Sequence, residues 1–229
     1  MSFNKEIELF HELAVALIAV VERGLKSNRV TQLKKATVDY TTEVDVSVED
    51  TIVEKIRTHF PQDDILAEEG YSETKIGDKR IWIIDSICGS SNMAHGMPFY
   101  CSNIALVNGG KVVAACVVDI HEGKYYWSVE NDALYEGLTP VPPTDEVSGM
   151  MIDVDFGCWY RIDERTQNIH RAMMAELLKN KGIKVFSINT SLSMLYVALR
   201  KYDAHFVINT HPWDFSAGSF LAMQAGCVV

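Results

Sequence analysis

The 229-residue chain has no apolar run approaching the ~18 residues that a membrane span requires, which argues against a transmembrane protein. It has no basic stretch, and its formal net charge is −10, which argues against nucleic acid as the main partner. Its five cysteines (Cys88, Cys101, Cys116, Cys158 and Cys227) are odd in number and scattered, with no Cys-x-x-Cys pair. A reduced, cytoplasmic setting is therefore the expectation. The histidines show no His-x-x-x-His spacing, so the sequence gives little support to a zinc enzyme. Ser102 and Cys101 lack the glycine-flanked context of a covalent nucleophile. The N-terminus opens on Asn4-Lys5-Glu6 and an amphipathic pattern, which does not read as a secretory signal. There is neither repeat nor low-complexity tract.

What the chain does have is ample material for a core, with 48% hydrophobic residues. Helical spacing over 5–25 predicts a first helix, and a second is expected from about Val48 to Phe60, with Ser47 and Asp50 as a capping signal. Ile65-Leu66-Ala67 reads as a short strand that delivers Glu68 and Glu69, and Ile81 to Ile84 as a buried strand ending on Asp85. A short helix is expected at Ser90 to about Ala94. Strands follow at Phe99–Val107, Val112–Asp119 and Lys124–Val129, where Tyr125-Tyr126-Trp127 reads as strand rather than ligand box. Leu138–Ser148 holds three prolines and reads as a loop. Met150–Phe156 predicts another strand. Helices are then expected near 166–180, 191–202 and 215–225, with short strands at Val185 and His205–Ile208. This alternation, with an antiparallel run in the middle, implies a layered α/β or α+β fold. The expected organisation is one compact unit of two halves, 1–139 and 140–229.

The most informative stretch is Asp85-Ser86-Ile87-Cys88-Gly89-Ser90-Ser91-Asn92. A strand ending on a carboxylate, a glycine turn and a helix start rich in hydroxyls suit a metal beside a phosphate. Mg²⁺ takes oxygen ligands, and Glu68, Asp85 and Asp214 are the candidate carboxylates, with the Ile87 carbonyl at a useful offset. Asp85 has two oxygens and could bridge two ions. Taken singly, Glu68-Glu69 fits a solvated pair, while Asp85 and Trp213-Asp214 each fit a helix cap. Their conjunction is what points to metal-dependent phosphate chemistry.

These residues bring a family into view. Trp82-Ile83-Ile84-Asp85-Ser86-Ile87-Cys88-Gly89-Ser90-Ser91-Asn92-Met93 resembles the motif W-x-I-D-P-[IL]-D-G-T-x-N-[FY] of the inositol monophosphatase family, Mg²⁺-dependent phosphatases of small sugar and inositol phosphates. Ala67-Glu68-Glu69 resembles its G-E-E motif, and Trp213-Asp214-Phe215-Ser216-Ala217-Gly218 its W-D-x-A-[AG]-G motif. Asp45 with Val48-Glu49 resembles its D-x-x-V-E element. The resemblance implies a layered αβαβα sandwich, here shortened at the C-terminus, and two or three Mg²⁺ ions. It also implies a small phosphorylated substrate and a homodimer.

At matching positions the resemblance implies that Glu68, Asp85 and the Ile87 carbonyl hold one metal, and Asp85 and Asp214 a second. Glu68 and Ser90 would orient the attacking water, with Asp45 supporting the outer shell. Gly89, Ser90 and Ser91 would bind phosphate through backbone N–H groups. Asn189, Thr190 and Ser191 would lie beside the substrate, and Lys34 or Lys35 matches a lysine near the site in some relatives. Val207 stands where inositol-cleaving relatives carry an acidic residue, which argues against myo-inositol phosphate as the preferred substrate.

Cys88 departs from the pattern, standing where the family has a metal-binding aspartate. Three readings stay open: a second Mg²⁺ site weakened and completed by water, a site that has changed metal, or a catalytically impaired relative that only binds phospholigands or regulates. Cys88→Asp is expected to tighten metal binding and lower the Mg²⁺ needed for activity; an unchanged Mg²⁺ titration curve would count against this.

Overall fold

The computed structural model describes residues 3–27, 41–142, 150–156 and 162–229. Lys34, Lys35, Cys158 and the end of the expected proline loop lie outside these residues.

Two helices cover one face of the main sheet. Helix α1 (Asn4–Lys26) buries Leu9, Phe10, Leu13, Leu17 and Val21, the i, i+3/i+4 stripe visible in the sequence. Helix α2 (Glu43–His59) buries Val44, Val48, Ile52 and Ile56 beside it. It begins five residues before the expected Val48. The cap is Thr42, whose side chain accepts from the Val44 and Asp45 N–H groups while Asp45 Oδ2 accepts from the Thr42 N–H at 2.9 Å. Ser47 lies inside the helix and donates its hydroxyl to the Glu43 carbonyl. Lys55 of α2 reaches Glu12 of α1 at 2.9 Å.

Among the described residues the main sheet runs in chain order: β1 (Asp64–Ala67), β2 (Ile81–Cys88), β3 (Cys101–Asn108), β4 (Lys111–Asp119), β5 (Lys124–Val129), β6 (Tyr135–Glu136) and β7 (Thr139–Pro140). Only the β1–β2 pair is parallel; the others are antiparallel. Strands β6 and β7 are two-residue pieces that the sequence did not announce, and Thr139-Pro140 of the expected loop is β7. Proline is tolerated there because β7 ends the order and its outer side needs no donor. The short helix α3 (Ser90–Ala94) follows β2.

The unbroken apolar run of β2 has a simple cause: both its faces are covered. Trp82 and Ile84 pack with α1 and α2. Ile81 and Ile83 pack with α5 (Leu192–Ala198) and α6 (Pro212–Gln224), through Leu192, Leu195, Phe220 and Leu221. Trp82 also donates its indole N–H to Asp63 at 2.9 Å, and Arg80 bridges Asp63 and Glu6 at 3.0 Å each, so the buried charges are paired. Beyond α5, a parallel three-stranded sheet runs in the order β10 (Ala204–Phe206), β8 (Met150–Val154), β9 (Ile183–Phe186). Helix α4 (Glu164–Leu177) connects β8 to β9, and its buried His170 meets Phe156. The layered α/β arrangement expected from the sequence is the one found. No described helix is long and apolar enough to cross a membrane.

The α5–α6 contact is close enough to require glycine. A Cβ at Gly218 would lie 2.7 Å from Met194 Cβ, an atom no rotamer change can move away. Gly218→Ala is expected to cost about 1–3 kcal/mol of stability, read as a lowered urea midpoint. An unchanged midpoint would show that the two helices are free to separate.

Candidate metal-binding active site

The parallel register of β1 and β2 builds the first part of the site. Ala67 pairs with Ile84, so the next residues, Glu68 and Asp85, follow side by side where β1 ends; β2 does not end on Asp85 as expected but runs on to Cys88. Ligands gather at the carboxyl ends of strands in α/β folds. Asp85 is almost fully buried, and its Oδ1 has no hydrogen-bond partner among the described residues. Burial pushes its carboxyl well above the usual carboxylate range, and the charges of Cys88, Glu68 and Asp214 push in the same direction.

A backbone irregularity brings Cys88 to the same side. In a regular strand, residues three apart point to opposite faces. Asp85 pairs with Asn103 and Cys88 with Cys101, so β2 spends one more residue than β3 between these pairs. That bulge flips the alternation: Ile87 joins the α1–α2 core while Cys88 packs on the α5–α6 side, the side of Ile81 and Ile83. Asp214 arrives from the other half of the chain as the third helical residue of α6. Ligand atoms of Asp85, Cys88 and Asp214 all lie within 4.8 Å of one another.

Each member is held from behind. Asp214 Oδ2 accepts from the Thr210 hydroxyl at 2.7 Å and the His211 N–H at 2.8 Å, which makes it part of the α6 capping box. The helix therefore begins at Pro212, ahead of the Phe215 expected from the apolar pattern. Cys88 Sγ accepts the Ser191 N–H at 3.1 Å, and the Cys88 carbonyl accepts the Thr190 hydroxyl at 3.1 Å. Its thiol is pushed well up, first by hydrogen bonding to the neighbouring Cys101 thiol, then by burial and by the charges of Cys101 and Asp214. Asn103 donates to the Ser191 hydroxyl at 2.7 Å and lies 3.5 Å from Asp85 Oδ2.

Two acidic residues of α2 stand behind Glu68. Glu49, buried, accepts the N–H groups of Glu69 and Gly70 at 2.9 and 2.7 Å and so fixes the turn that carries Glu68. Its role was not legible in the sequence beyond its place in the D-x-x-V-E element. Glu69 turns away to the Thr41 hydroxyl at 3.1 Å. Asp45 is 2% exposed, and its Oδ2 is committed to Thr42. Burial raises its carboxyl to about 6 despite the Thr42 hydrogen bonds, and the charge of Glu68 adds to the rise.

The turn into α3 requires Gly89. Its φ is +94°, and a Cβ there would lie 2.6 Å from the Phe99 carbonyl oxygen. Asn92 closes the loop by donating to the Phe99 and Ile188 carbonyls at 2.9 and 2.7 Å. Ser90 and Ser91 form the first turn of α3, beside the acidic cluster.

In the 189–191 segment, Thr190 and Ser191 are buried and hold Cys88 and Asn103. Asn189 is the exposed member, in a left-handed conformation at φ 48°, and its Oδ1 accepts from Phe156 N–H and the Ser187 hydroxyl. Val207 follows β10 and is partly buried.

The chain belongs to the inositol monophosphatase family, whose signature spans residues 4–229. It is 30% identical over 197 residues to the Nus factor SuhB of Xylella fastidiosa, covering 85% of this chain and 70% of that one. It is 27% identical over 200 residues to an inositol monophosphatase of Dictyostelium discoideum, covering 85% and 73% of the two chains. Among solved structures, the IMPase of Thermotoga maritima superposes with a TM-score of 0.73 at 25% identity, over 98% of this chain and 83% of that one.

The raised Asp45 carboxyl makes a pH prediction. Its folded value of about 6 lies above its ordinary 3.8, so the folded chain holds a proton that the unfolded chain releases. The associated stability is full below pH 3.8 and is lost as pH rises through about 6. With divalent cations chelated, Asp45→Asn, which keeps an acceptor for the Thr42 N–H, should therefore gain on wild type by on the order of 2 kcal/mol across that window. Thermal denaturation at both ends of the window tests this; a constant difference would refute it.

Proposed function

We propose that the chain is a Mg²⁺-dependent phosphomonoesterase acting on a small phosphorylated polyol, sugar or nucleotide. The observation that carries this reading is the convergence of Asp85, Cys88 and Asp214 around the partnerless, buried Asp85 Oδ1, with Glu68 beside it. A buried carboxylate oxygen without a donor, among further carboxylates, fits a hard cation. Glu68, Asp85 and the Ile87 carbonyl would hold Mg²⁺, and Asp85 and Asp214 would share in a second position. Bound there, Mg²⁺ supplies Lewis-acid polarisation of the phosphoryl group and activation of water.

The chain's own residues set the geometry. Glu68 and Ser90 orient the attacking water, so that it meets phosphorus in line with the leaving alcohol and no phosphoenzyme forms. The N–H groups of Gly89, Ser90 and Ser91 receive phosphate oxygens at the start of α3. The ester carries about −1.5 to −2 charge near neutrality, which this carboxylate-rich site would repel without cations. Asn189, Thr190 and Ser191 lie on the side of the alcohol part, with Asn189 the exposed member. The absence of a carboxylate at Val207 disfavours myo-inositol phosphate.

A second reading rests on Cys88: a relative that binds phospholigands without turning them over. Purified protein with Mg²⁺ and a panel of esters, including inositol phosphates, fructose 1,6-bisphosphate and 3′-phosphoadenosine 5′-phosphate, separates the two. Phosphate release well above an Asp85→Asn control is the expected result. Release no higher than that control with every ester would leave the binding protein as the better account.

A further inference from the structure

Where the family places a metal-binding aspartate, this chain presents a thiol, and the surroundings of that thiol decide what it can do. Cys88 is not a stray replacement lost in the core. Its sulfur sits with carboxylate oxygens of Asp85 and Asp214, all within 4.8 Å of one another. The Asp85 Oδ1 atom is buried without a hydrogen-bond partner among the described residues. The Ser191 N–H donates to Cys88 Sγ at 3.1 Å, which stabilises negative charge on sulfur. The Thr190 hydroxyl fixes the Cys88 carbonyl at 3.1 Å, and Asn103 holds the Ser191 hydroxyl at 2.7 Å. The thiol is thus aimed and supported in the way that metal ligands generally are.

We infer that Asp85, Cys88 and Asp214 form a mixed thiolate–carboxylate seat for a borderline-soft divalent cation of the Zn²⁺ class, next to the hard-cation position of Glu68, Asp85 and the Ile87 carbonyl. The inference rests on the metal-dependent reading above and assigns the two positions to different metals. Zn²⁺ accepts sulfur at about 2.3 Å and carboxylate oxygen at about 2.0–2.2 Å, which places ligand atoms roughly 3–4 Å apart. The three ligand atoms, all within 4.8 Å of one another, are already gathered close to that spacing. Mg²⁺ prefers six oxygens in a near-octahedral array and gains little from sulfur. Three protein ligands and one open position are the usual composition of a zinc site that does chemistry. As the S–metal bond forms, the thiol proton leaves to solvent, and the dication offsets the charge of thiolate and carboxylates together.

Cys101 is the thiol that could imitate this result, since it stands opposite Cys88 in the β2–β3 register. Its Sγ lies 3.8 Å from Asn103 Oδ1 and 3.5 Å from the Ser191 hydroxyl. It does not belong to the cluster of three ligands. The test must therefore tell the two sulfurs apart.

Metal-free protein, kept reduced with a phosphine, is titrated with Co²⁺ as a spectroscopic stand-in for Zn²⁺, and with Zn²⁺ and Mg²⁺ by calorimetry. Wild type should develop a near-ultraviolet sulfur-to-cobalt charge-transfer band. Cys101→Ser should keep the band and Cys88→Ser should lose it, with Zn²⁺ binding weakened at least about 10- to 100-fold. Cys88→Asp restores the family carboxylate and should shift preference from Zn²⁺ towards Mg²⁺. Co²⁺ binding without a band in wild type, or a band that survives in Cys88→Ser, overturns the assignment. So does a Zn²⁺-to-Mg²⁺ preference equal in wild type and Cys88→Asp. Phosphate release with Mg²⁺ alone is read separately, so failure of the soft-metal seat and failure of the phosphatase reading leave different records.

Discussion

Negative charge held out of water where β1 ends and along the last half of β2 is the constraint that the rest of this structure serves. Asp85 is buried between Glu68 and Asp214, with Asp45 and Glu49 close behind. Two carboxylates less than 5 Å apart repel by about 3 kcal/mol or more at an intermediate dielectric. Without cations such a group relieves itself by keeping protons, which is the direction in which burial moves Asp85, Asp45 and Glu49. With cations the same groups become ligands and their supports. The hydrogen bonds from Thr42, from the Glu69–Gly70 turn and from Thr210 and His211 keep the carboxylates in place under that repulsion.

The backbone contributes as much as the side chains. Parallel pairing aligns Glu68 with Asp85, the bulge returns Cys88 to the face of Asp85, and Gly89 turns the chain where any side chain would strike Phe99. Asn92 and Asn103 then tie three distant segments together: the α3 turn, the start of β3 and the 188–191 segment. Two of the recurring motif residues thus have structural causes. Asn92 closes the loop around the α3 turn, and Gly218 lets α6 approach Met194.

Much of this was legible in the sequence because it is local. The 3.6-residue stripe of α1, the four-residue apolar run of β2 and the glycine turns needed only neighbours along the chain. The start of α2 was misplaced because Ser47 and Asp50 imitate the spacing of the true capping box at Thr42 and Asp45. The β6–β7 hairpin escaped because two-residue strands have no period to read. The candidate carboxylates were legible as motif members, but their supports were not. Glu49 acts on residues 20 and 21 positions away and Asn103 on one 88 away, and no sequence spacing reports such contacts. Thr190 and Ser191 were expected beside the substrate only through the family resemblance; that they are buried and hold Cys88 in place is a further task no spacing reports.

Replacing a carboxylate by a thiol at position 88 is a trade between the two states of the site. A third acidic ligand there would add a repulsion of a few kcal/mol against Asp85 and Asp214 in the cation-free chain. A neutral thiol fills the same place without that cost, so the cation-free fold is under less strain. The loss falls on the bound state, where sulfur gives a hard cation little in return. The Ser191 N–H, held at 3.1 Å, works against the net upward push on the thiol, so that a softer cation meets one donor already placed for the thiolate. The same loop that holds Thr190 and Ser191 against Cys88 is anchored by Asp153, buried in β8, which accepts the Ile188 N–H at 3.0 Å. The small sheet is therefore mechanically linked to the donor that sets the character of the sulfur.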